Sequence, residues 1–320
     1  MMVSSFSQAM LGALLAMAAV GFLIDTASLV SLELEEEESH RNQTKTGVPV
    51  LDDQAGSWVS NWWVPPGHWT ILNAEEMRRI FRRRSVVWMG DSTARRAAVN
   101  LYQILNESDL SHTHGSMSHW QVIDINKKSI TEECVIHPFN ASKSTIFCRR
   151  MPGGAGHLVM SSQHCLKHVG SEIEEFWHQW RGNVDLIVVA LGIWECLGRT
   201  KRVCRDGSTT VFQRVDRVLS MLPLDEVEVI WRSSGYSSIE DGTEVLVDEL
   251  NNYTKTRILE IAHPNLTYVD WAAAIRHRSF GQRRIEGDII AHYGLEPRLV
   301  ALQMIANSLR DRHPAPVDST

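Results

Sequence analysis

The sequence of 320 residues contains no C-x-x-C pair and no excess of basic residues. Without a C-x-x-C pair, a zinc ribbon or a thioredoxin-type redox site has no support. The formal net charge of −6 at pH 7 does not favour a nucleic-acid-binding surface. We therefore expect no nucleic-acid partner and no bound metal. The histidine-rich stretch 112–119 matches no fixed zinc spacing and has no carboxylate nearby, so it does not change this expectation.

Cysteine is also scarce. Five cysteines leave one without a partner if the protein is oxidised. Connectivity does not follow from the sequence. Cys134 with Cys148, and Cys196 with Cys204, are two possible pairs because each would close a short loop.

Lysine and arginine are absent from the first 40 positions, and Arg41 is the first of either. Residues 9–24 are uninterrupted by charge, and apolar character continues to Val30. This run is long for a signal-peptide core and short for a membrane span. We expect residues 1–32 to be a signal anchor or a cleaved signal peptide. The protein would then be a single-pass Golgi membrane protein with a luminal catalytic domain, or a secreted protein.

An acidic segment follows the apolar run. Residues 33–56 include four consecutive glutamates and few large apolar residues, a composition typical of a disordered stem. We expect one catalytic domain at residues 57–312 and a flexible tail at 313–320. Five N-x-(S/T) glycosylation motifs agree with a secretory location. They begin at Asn42, Asn106, Asn140, Asn252 and Asn265.

Strand-like and helix-like segments alternate along the predicted domain. Strands are predicted at residues 86–89, 121–125, 157–161, 186–191, 227–231 and 266–269. Helices are predicted at residues 74–84, 93–105, 171–180, 210–221, 244–261 and 296–309. The continuous apolar run 186–191 is typical of a parallel strand covered on both faces. The fold class is therefore α/β, a three-layer α/β/α sandwich with a central, mostly parallel sheet.

The most informative segment is the run 86–96, where a short apolar strand ends in Gly90-Asp91-Ser92 and a helix begins at once. This arrangement brings a serine hydroxyl to the carboxyl end of a strand, where open α/β sheets place their chemistry. Backbone N–H groups at the helix N-terminus could also stabilise a developing oxyanion. The alternative interpretation is that Asp91 or Ser92 only caps the helix.

A second polar cluster lies near the end of the chain, where Asp288 and His292 precede the last predicted helix. A serine hydroxyl needs a base to take its proton and an acid to orient that base. Ser92, Asp288 and His292 supply the three groups in that chain order. The alternative is that the acid and the histidine only flank or cap a helix.

Together, these segments resemble the SGNH (GDSL-type) hydrolase superfamily, and within it the PC-esterase and trichome-birefringence-like branch, which contains glycan O-acetyltransferases. The resemblance spans residues 58–309, in the order of the family's motifs. Its pieces are the tryptophan-proline run 62–69, the basic run 77–84, Gly90-Asp91-Ser92 with Arg95-Arg96, Leu191-Gly192-Ile193-Trp194-Glu195, and Trp231-Arg232-Ser233.

The resemblance implies further site residues, and departures from the family pattern affect two of the assignments. The family's acid usually stands three positions before the histidine, whereas Asp288 stands four before His292, so Asp270 is the alternative acid. The family's usual oxyanion asparagine is missing from the Gly192 segment, so the Gly192 N–H would replace it. Asp91, Gly192 and Arg232 are the expected oxyanion or substrate contacts. For Arg232, a surface ion pair is the alternative.

These residues predict an acyl-enzyme at Ser92 and an O-acetyltransferase acting on glycans. An esterase with the same triad is the first alternative, and a non-catalytic glycan-binding protein is the second. No cofactor is expected, since an acetyl ester or acetyl-CoA would be a substrate. The expected partners are a glycan or another acyl acceptor and, through the N-terminal segment, a membrane.

Overall fold

The computed structural model describes the greater part of the predicted catalytic domain. The described residues are 56–59, 62–81, 84–106, 122–123, 145–150, 157–162, 165–196, 204, 210–236, 243–276 and 293–313. The predicted targeting segment, nearly all of the stem, Asp288 and His292 lie outside these ranges. Among the helices described, none combines the length and the apolar character that a membrane crossing requires.

The described strands form one large sheet and one hairpin. They are β1 Ser57–Val59, β2 Trp62–Val64, β3 Val86–Gly90, β4 Val122–Ile123, β5 Thr145–Arg150, β6 His157–Ser162, β7 Leu186–Ala190, β8 Glu228–Arg232 and β9 Leu266–Val269. The sheet has the order β4-β5-β6-β3-β7-β8-β9, and β1 pairs with β2 in a separate antiparallel hairpin. Strands β6, β3, β7, β8 and β9 are parallel, while β5 is antiparallel to both β4 and β6. The expected mostly parallel sheet is confirmed.

The described helices pack in two groups. They are α1 Ala74–Phe81, α2 Ser92–Leu105, α3 Leu166–Trp180, α4 Ile193–Cys196, α5 Val211–Met221, α6 Thr243–Ile261, α7 Trp271–Arg276 and α8 Leu295–Arg312. Helix α8 contacts α1, α2 and α7, whereas α5 contacts α3 and α6. Right-handed crossovers place helices on opposite faces when the chain reverses direction across a sheet. The two groups therefore form the two outer layers of a doubly wound fold.

The reversal takes place at β3. The chain leaves β3 for β6 on one side, then crosses through α3 to β7 on the other side and continues outward to β8 and β9. All five residues of β3 are buried, as are those of β7 and β8. Ligand crevices in open α/β sheets form where neighbouring strands leave in opposite directions. The carboxyl end of β3, where Ser92 follows, is that position.

Several elements differ from the sequence-based expectation. Helix α3 begins at Leu166 rather than near 171, because the Glu195 carboxylate accepts a hydrogen bond from the Leu166 N–H at 2.9 Å. Strand β5 was not predicted, and neither were the β1–β2 hairpin and α7. The predicted Cys196–Cys204 pair is wrong: Cys204 forms a disulfide with Cys165, and Cys196 is a buried cysteine outside that bridge. The other suggested pair includes Cys134, which lies outside the described residues.

Candidate functional site

The turn after β3 depends on close contact at Gly90. A Cβ atom at Gly90 would lie 2.4 Å from the Ala190 carbonyl oxygen and 2.4 Å from the Ala94 Cβ. Real Cβ atoms do not approach other atoms so closely, so a side chain here would push the first turn of α2 away from β7. Glycine thus lets the chain pass from strand to helix with the helix N-terminus seated directly on the sheet.

Asp91 is the N-cap of α2. Its Oδ1 accepts hydrogen bonds from the Thr93 N–H at 2.8 Å, the Thr93 Oγ1–H at 2.6 Å and the Ala94 N–H at 3.3 Å. The side chain is only 1% exposed. A carboxylate accepts hydrogen bonds, whereas an oxyanion needs donors, so this geometry gives Asp91 a positioning function. It also occupies two of the helix N-terminal amides.

Ser92 is the first residue of α2 and is half-buried, in contrast to its buried neighbours Asp91 and Thr93. The positive end of the helix dipole lies at this residue. Ser92 therefore combines three properties that a nucleophile needs: a position at the carboxyl end of the central strand, partial access, and a rigid turn beneath it.

Gly192 lies beyond the carboxyl end of β7, the strand beside β3. Its φ of +136° is a conformation that other residues rarely adopt, and a Cβ here would lie 2.8 Å from Leu250 Cδ2. No hydrogen bond of its N–H to another described residue occurs. Because the Asp91 side chain uses the Thr93 and Ala94 amides, the Gly192 N–H stays a candidate oxyanion donor on this side of the crevice.

Glu195 has a structural function. Beyond its bond to Leu166, it forms a buried ion pair with Arg214, whose guanidinium also donates to the Cys204 carbonyl at 2.6 Å. Burial raises the pKa of Glu195, while the Leu166 N–H and Arg214 oppose that shift. Cys165, Glu195 and Cys204 form a group of potential metal ligands, but the disulfide between the two cysteines removes the thiolates that a metal would need.

Arg232 ends β8 and is 1% exposed, so the surface ion pair considered above does not occur. Its Nη2 donates to Thr93 Oγ1 at 3.1 Å, and its guanidinium carbon lies 4.2 Å from the centroid of the Trp271 ring. Burial lowers the pKa of Arg232 to about 10, although Asp91 opposes the shift. The Nε atom is buried and has no hydrogen-bond partner among the described residues. Arg232 therefore acts on the Ser92 turn through Thr93.

Asp270, the alternative triad acid, caps a different helix. Its Oδ1 accepts a hydrogen bond from the Ala273 N–H at 3.1 Å in the first turn of α7. Burial raises its pKa, and hydrogen bonds from Ala273 and Ser233 oppose that shift. It follows β9, which is separated from β3 by two strands, or about 14 Å at the usual strand spacing. The capping bond and this separation make it a weak candidate for the triad.

Asp288 and His292 lie outside the described residues, but the structure describes Tyr293, the residue that follows His292. Tyr293 is 2% exposed, and its hydroxyl donates to the Tyr236 carbonyl. Its ring packs edge-on against Trp271, with ring centroids 4.7 Å apart. Trp271 in turn contacts Arg232. The chain at position 293 is thus anchored at the carboxyl ends of β8 and β9, on the same edge of the sheet as Ser92.

The network Asp91–Thr93–Arg232–Trp271–Tyr293 joins residues from four parts of the chain. The sequence indicated Asp91 and Arg232 as site residues, but not the other three members of this network. Thr93 could have been recognised from the sequence, because a hydroxyl two residues after an N-cap aspartate can donate a hydrogen bond back to that aspartate. No local sequence pattern identifies Trp271 and Tyr293 as members of the network. They are recognised only when the strand ends are brought together in the fold.

A cavity of about 370 Å³ lies elsewhere, between α1 and the end of α8. Helix α8 runs from the carboxyl edge of the sheet back toward the other edge, where Arg312 Nη1 donates to the Pro264 carbonyl, two residues before β9. The cavity is lined by Leu72, Glu76, Arg79, Ile80, Arg84, Leu309, Arg310 and His313. It lies away from the Ser92 turn and does not belong to that site.

The sequence matches no known family model and no curated protein. Several solved structures are similar in backbone. The C-terminal catalytic domain of Streptococcus pneumoniae peptidoglycan O-acetyltransferase A has 14% identity and a TM-score of 0.40, over 72% of this chain and 95% of that one. A Clostridium thermocellum family 3 carbohydrate esterase has 13% identity and a TM-score of 0.41, over 72% and 98%.

The third similar structure is the N-terminal part of a Bacteroides fragilis protein that contains a phosphatase domain and was solved with magnesium. It has 12% identity and a TM-score of 0.41, over 74% of this chain and 55% of that one. Similarity at this level concerns only the path of the backbone. It assigns no activity to this chain, and any activity has to be inferred from the residues of the site itself.

Proposed function

We propose that the protein is a serine-dependent acyltransferase that moves an acyl group, an acetyl group in the first instance, onto a glycan hydroxyl through an acyl-enzyme at Ser92. The observation that carries this proposal is the placement of Ser92. It stands at the N-terminus of α2, at the reversal point of a doubly wound sheet, on a turn fixed by Asp91 and Thr93. Rigid presentation of a half-buried hydroxyl at this point is the arrangement that nucleophilic catalysis requires.

In the proposed reaction, the His292 imidazole takes the proton of Ser92 Oγ as the oxygen attacks the carbonyl carbon of the acyl donor. The Gly192 N–H stabilises the tetrahedral oxyanion. The donor's bond to its alcohol or thiol then breaks, and that group leaves with the proton from His292. An acceptor hydroxyl next gives its proton to His292, attacks the acyl-enzyme and restores Ser92. Asp288 keeps the imidazole oriented throughout.

Two observations support the assignment of His292. The adjacent Tyr293 is anchored beside Trp271 and Arg232, and Arg232 reaches the residue after Ser92. This chain of contacts places Tyr293, the residue that follows His292 in the sequence, at the edge of the sheet where Ser92 lies. The order Ser…Asp…His and the resemblance to SGNH enzymes give the histidine its function.

The proposed location is the secretory pathway, with residues 1–32 as an anchor or signal. A disulfide between Cys165 and Cys204 supports it, because disulfides persist mainly in oxidising compartments. The glycosylation motifs in the sequence support the same location.

The test uses the purified full chain with an acetyl donor, in the presence and absence of an oligosaccharide acceptor. Acetylation of the acceptor that is lost in Ser92→Ala supports the transferase. Release of acetate without any transfer, also dependent on Ser92, would replace it with an esterase. Retained acceptor binding with no Ser92-dependent turnover of any donor contradicts both and leaves a glycan-binding protein.

A further inference from the structure

The cavity between α1 and the end of α8 has the size of a small-molecule site. Its volume of about 370 Å³ lies within the range of ligand pockets, roughly 300 to 1,000 Å³. Most of its lining is apolar and includes Leu72, Ile80 and Leu309, which pack in or against the hydrophobic core. A ligand that fills this space therefore needs an apolar body.

Hydrogen bonds between the segment 70–72 and α8 hold part of this lining in place. The Gln303 side chain accepts from the Leu72 N–H at 2.8 Å and donates to the Leu72 carbonyl at 2.7 Å. The Asn307 side chain accepts from the Thr70 N–H at 3.3 Å and donates to the Thr70 carbonyl at 3.0 Å. The four bonds fix the segment on the helix, so little reorganisation is needed when a ligand enters.

Positively charged groups outnumber negatively charged ones in the lining. Three arginines, Arg79, Arg84 and Arg310, accompany a single carboxylate, that of Glu76. Glu76 Oε2 accepts a hydrogen bond from the Asn73 N–H at 2.7 Å at the start of α1. This carboxylate is therefore already used to cap the helix.

Two of the three arginines have partners. Arg84 Nη1 forms an ion pair with the buried Glu228 carboxylate at 2.8 Å. Arg310 Nη1 donates to Thr70 Oγ1 at 2.8 Å, and its Nε lies 3.8 Å from the Asp311 carboxylate, which is longer than a hydrogen bond. Arg84 precedes β3 and Glu228 begins β8, so the cavity lies at the amino edge of the sheet.

Arg79 is the third arginine. It is exposed in the last turn of α1 and forms no hydrogen bond or ion pair with another residue that the structure describes. Its guanidinium offers a planar fork of N–H donors that fits a carboxylate with two parallel hydrogen bonds. The partial negative charge at the C-terminal ends of α1 and α8 opposes an anion, but this effect is weaker than a direct charged hydrogen bond.

We propose that this cavity binds a small amphipathic acid, whose aliphatic chain lies beside Leu72, Ile80 and Leu309 and whose carboxylate contacts Arg79. Such a ligand would connect α1 to α8 and thereby stabilise the folded state. The cavity lies at the edge of the sheet opposite Ser92, so the proposal does not depend on acyl transfer.

The experiment uses the full chain and three probes with the same eight-carbon chain: octanoate, octanol and octylamine, each below the concentration at which it forms micelles. Calorimetry measures binding, and the thermal unfolding midpoint reports stabilisation. We expect saturable binding of octanoate, at least about tenfold weaker binding of octanol and still weaker binding of octylamine, whose charge the arginines repel. Absence of saturable octanoate binding, or equal affinities for octanoate and octylamine, would overturn the proposal.

Arg79→Gln should weaken octanoate binding at least about tenfold and leave octanol binding unchanged, because only the acid uses the guanidinium. Arg217→Gln is the matched control, since Arg217 is an exposed arginine on α5, in the other helix layer. An unchanged affinity in Arg79→Gln, or an equal loss in the control, contradicts the proposal. Octanoate binding only after removal of residues 314–320 would identify the tail as the occupant and overturn it as well.

Discussion

The Arg232 guanidinium donates a hydrogen bond to Thr93 Oγ1 at 3.1 Å, and the same hydroxyl donates its proton to Asp91 Oδ1 at 2.6 Å. Thr93 thus connects the end of β8 to the turn after β3, although β7 lies between the two strands. All three side chains are almost fully buried. The turn that carries Ser92 is therefore held both by its own helix cap and by a cation from a distant strand.

Replacement of Thr93 by valine should destabilise the fold. The variant keeps the shape of the side chain but removes the hydroxyl, which leaves an Asp91 oxygen and an Arg232 N–H with one partner fewer in a buried place. We expect the free energy of unfolding to fall by about 1–3 kcal/mol. Urea unfolding measures it. Thr254→Val is the matched control, because the Thr254 hydroxyl donates only to the Leu250 carbonyl within its own helix, and its loss should cost less.

Asp270 should make stability depend on pH. Burial raises its pKa in the folded protein above the ordinary 3.8. The folded state therefore holds this proton more tightly than the unfolded state, and its contribution to stability declines as pH rises from about 4 through the raised pKa. Asp270→Asn should remove that decline. Urea unfolding of both proteins between pH 4 and 7 tests this, and parallel curves would contradict the expectation.

The acid of the triad can be assigned by a pair of matched variants. Asp288→Asn should lower kcat by several orders of magnitude, since a misoriented imidazole is a poor base even when the overall geometry is kept. Asp270→Asn should leave kcat within a few fold of wild type, because an asparagine can still cap α7. Steady-state kinetics with one acyl donor compares the two. The reverse pattern would move the acid to Asp270.

The Cys165–Cys204 disulfide should stabilise the fold by restricting the unfolded chain. The bridge spans 39 residues, for which loop-closure entropy gives about 4 kcal/mol as an upper estimate. The double variant Cys165→Ala/Cys204→Ala should lose about 2–4 kcal/mol in urea unfolding. The Cys196→Ala control retains the bridge. A reducing agent should therefore still lower the free energy of unfolding of this variant. Insensitivity of that control to the reducing agent would show that the bridge contributes little.

The sequence predicted those parts of the fold that depend on local patterns. The apolar run of β7, the Gly90-Asp91-Ser92 turn and the alternation of strands and helices all follow from neighbouring residues. Strand β5 was missed because its second half, Cys148-Arg149-Arg150, does not read as a buried strand. It pairs antiparallel to β6 at one side of the sheet, a position for which an apolar run is not required.

Other features depend on residues far apart in the chain. Helix α3 begins early because Glu195, 29 positions later, accepts the Leu166 amide proton. The burial of Arg232 depends on Thr93 and Trp271, which lie on other elements. Charge in a sequence normally indicates exposure, so a buried arginine can be recognised only when its partners are known.

The most direct test of the account is covalent labelling of Ser92. The full chain is incubated with an activated acetyl ester, quenched in acid and analysed by intact and peptide mass spectrometry. We predict one acetyl group per chain, on Ser92, absent from Ser92→Ala and unchanged in Ser171→Ala, which lacks an exposed serine on α3. A wild-type chain that stays unmodified, or a Ser92→Ala chain acetylated to the same extent, would contradict the claim that Ser92 is the nucleophile.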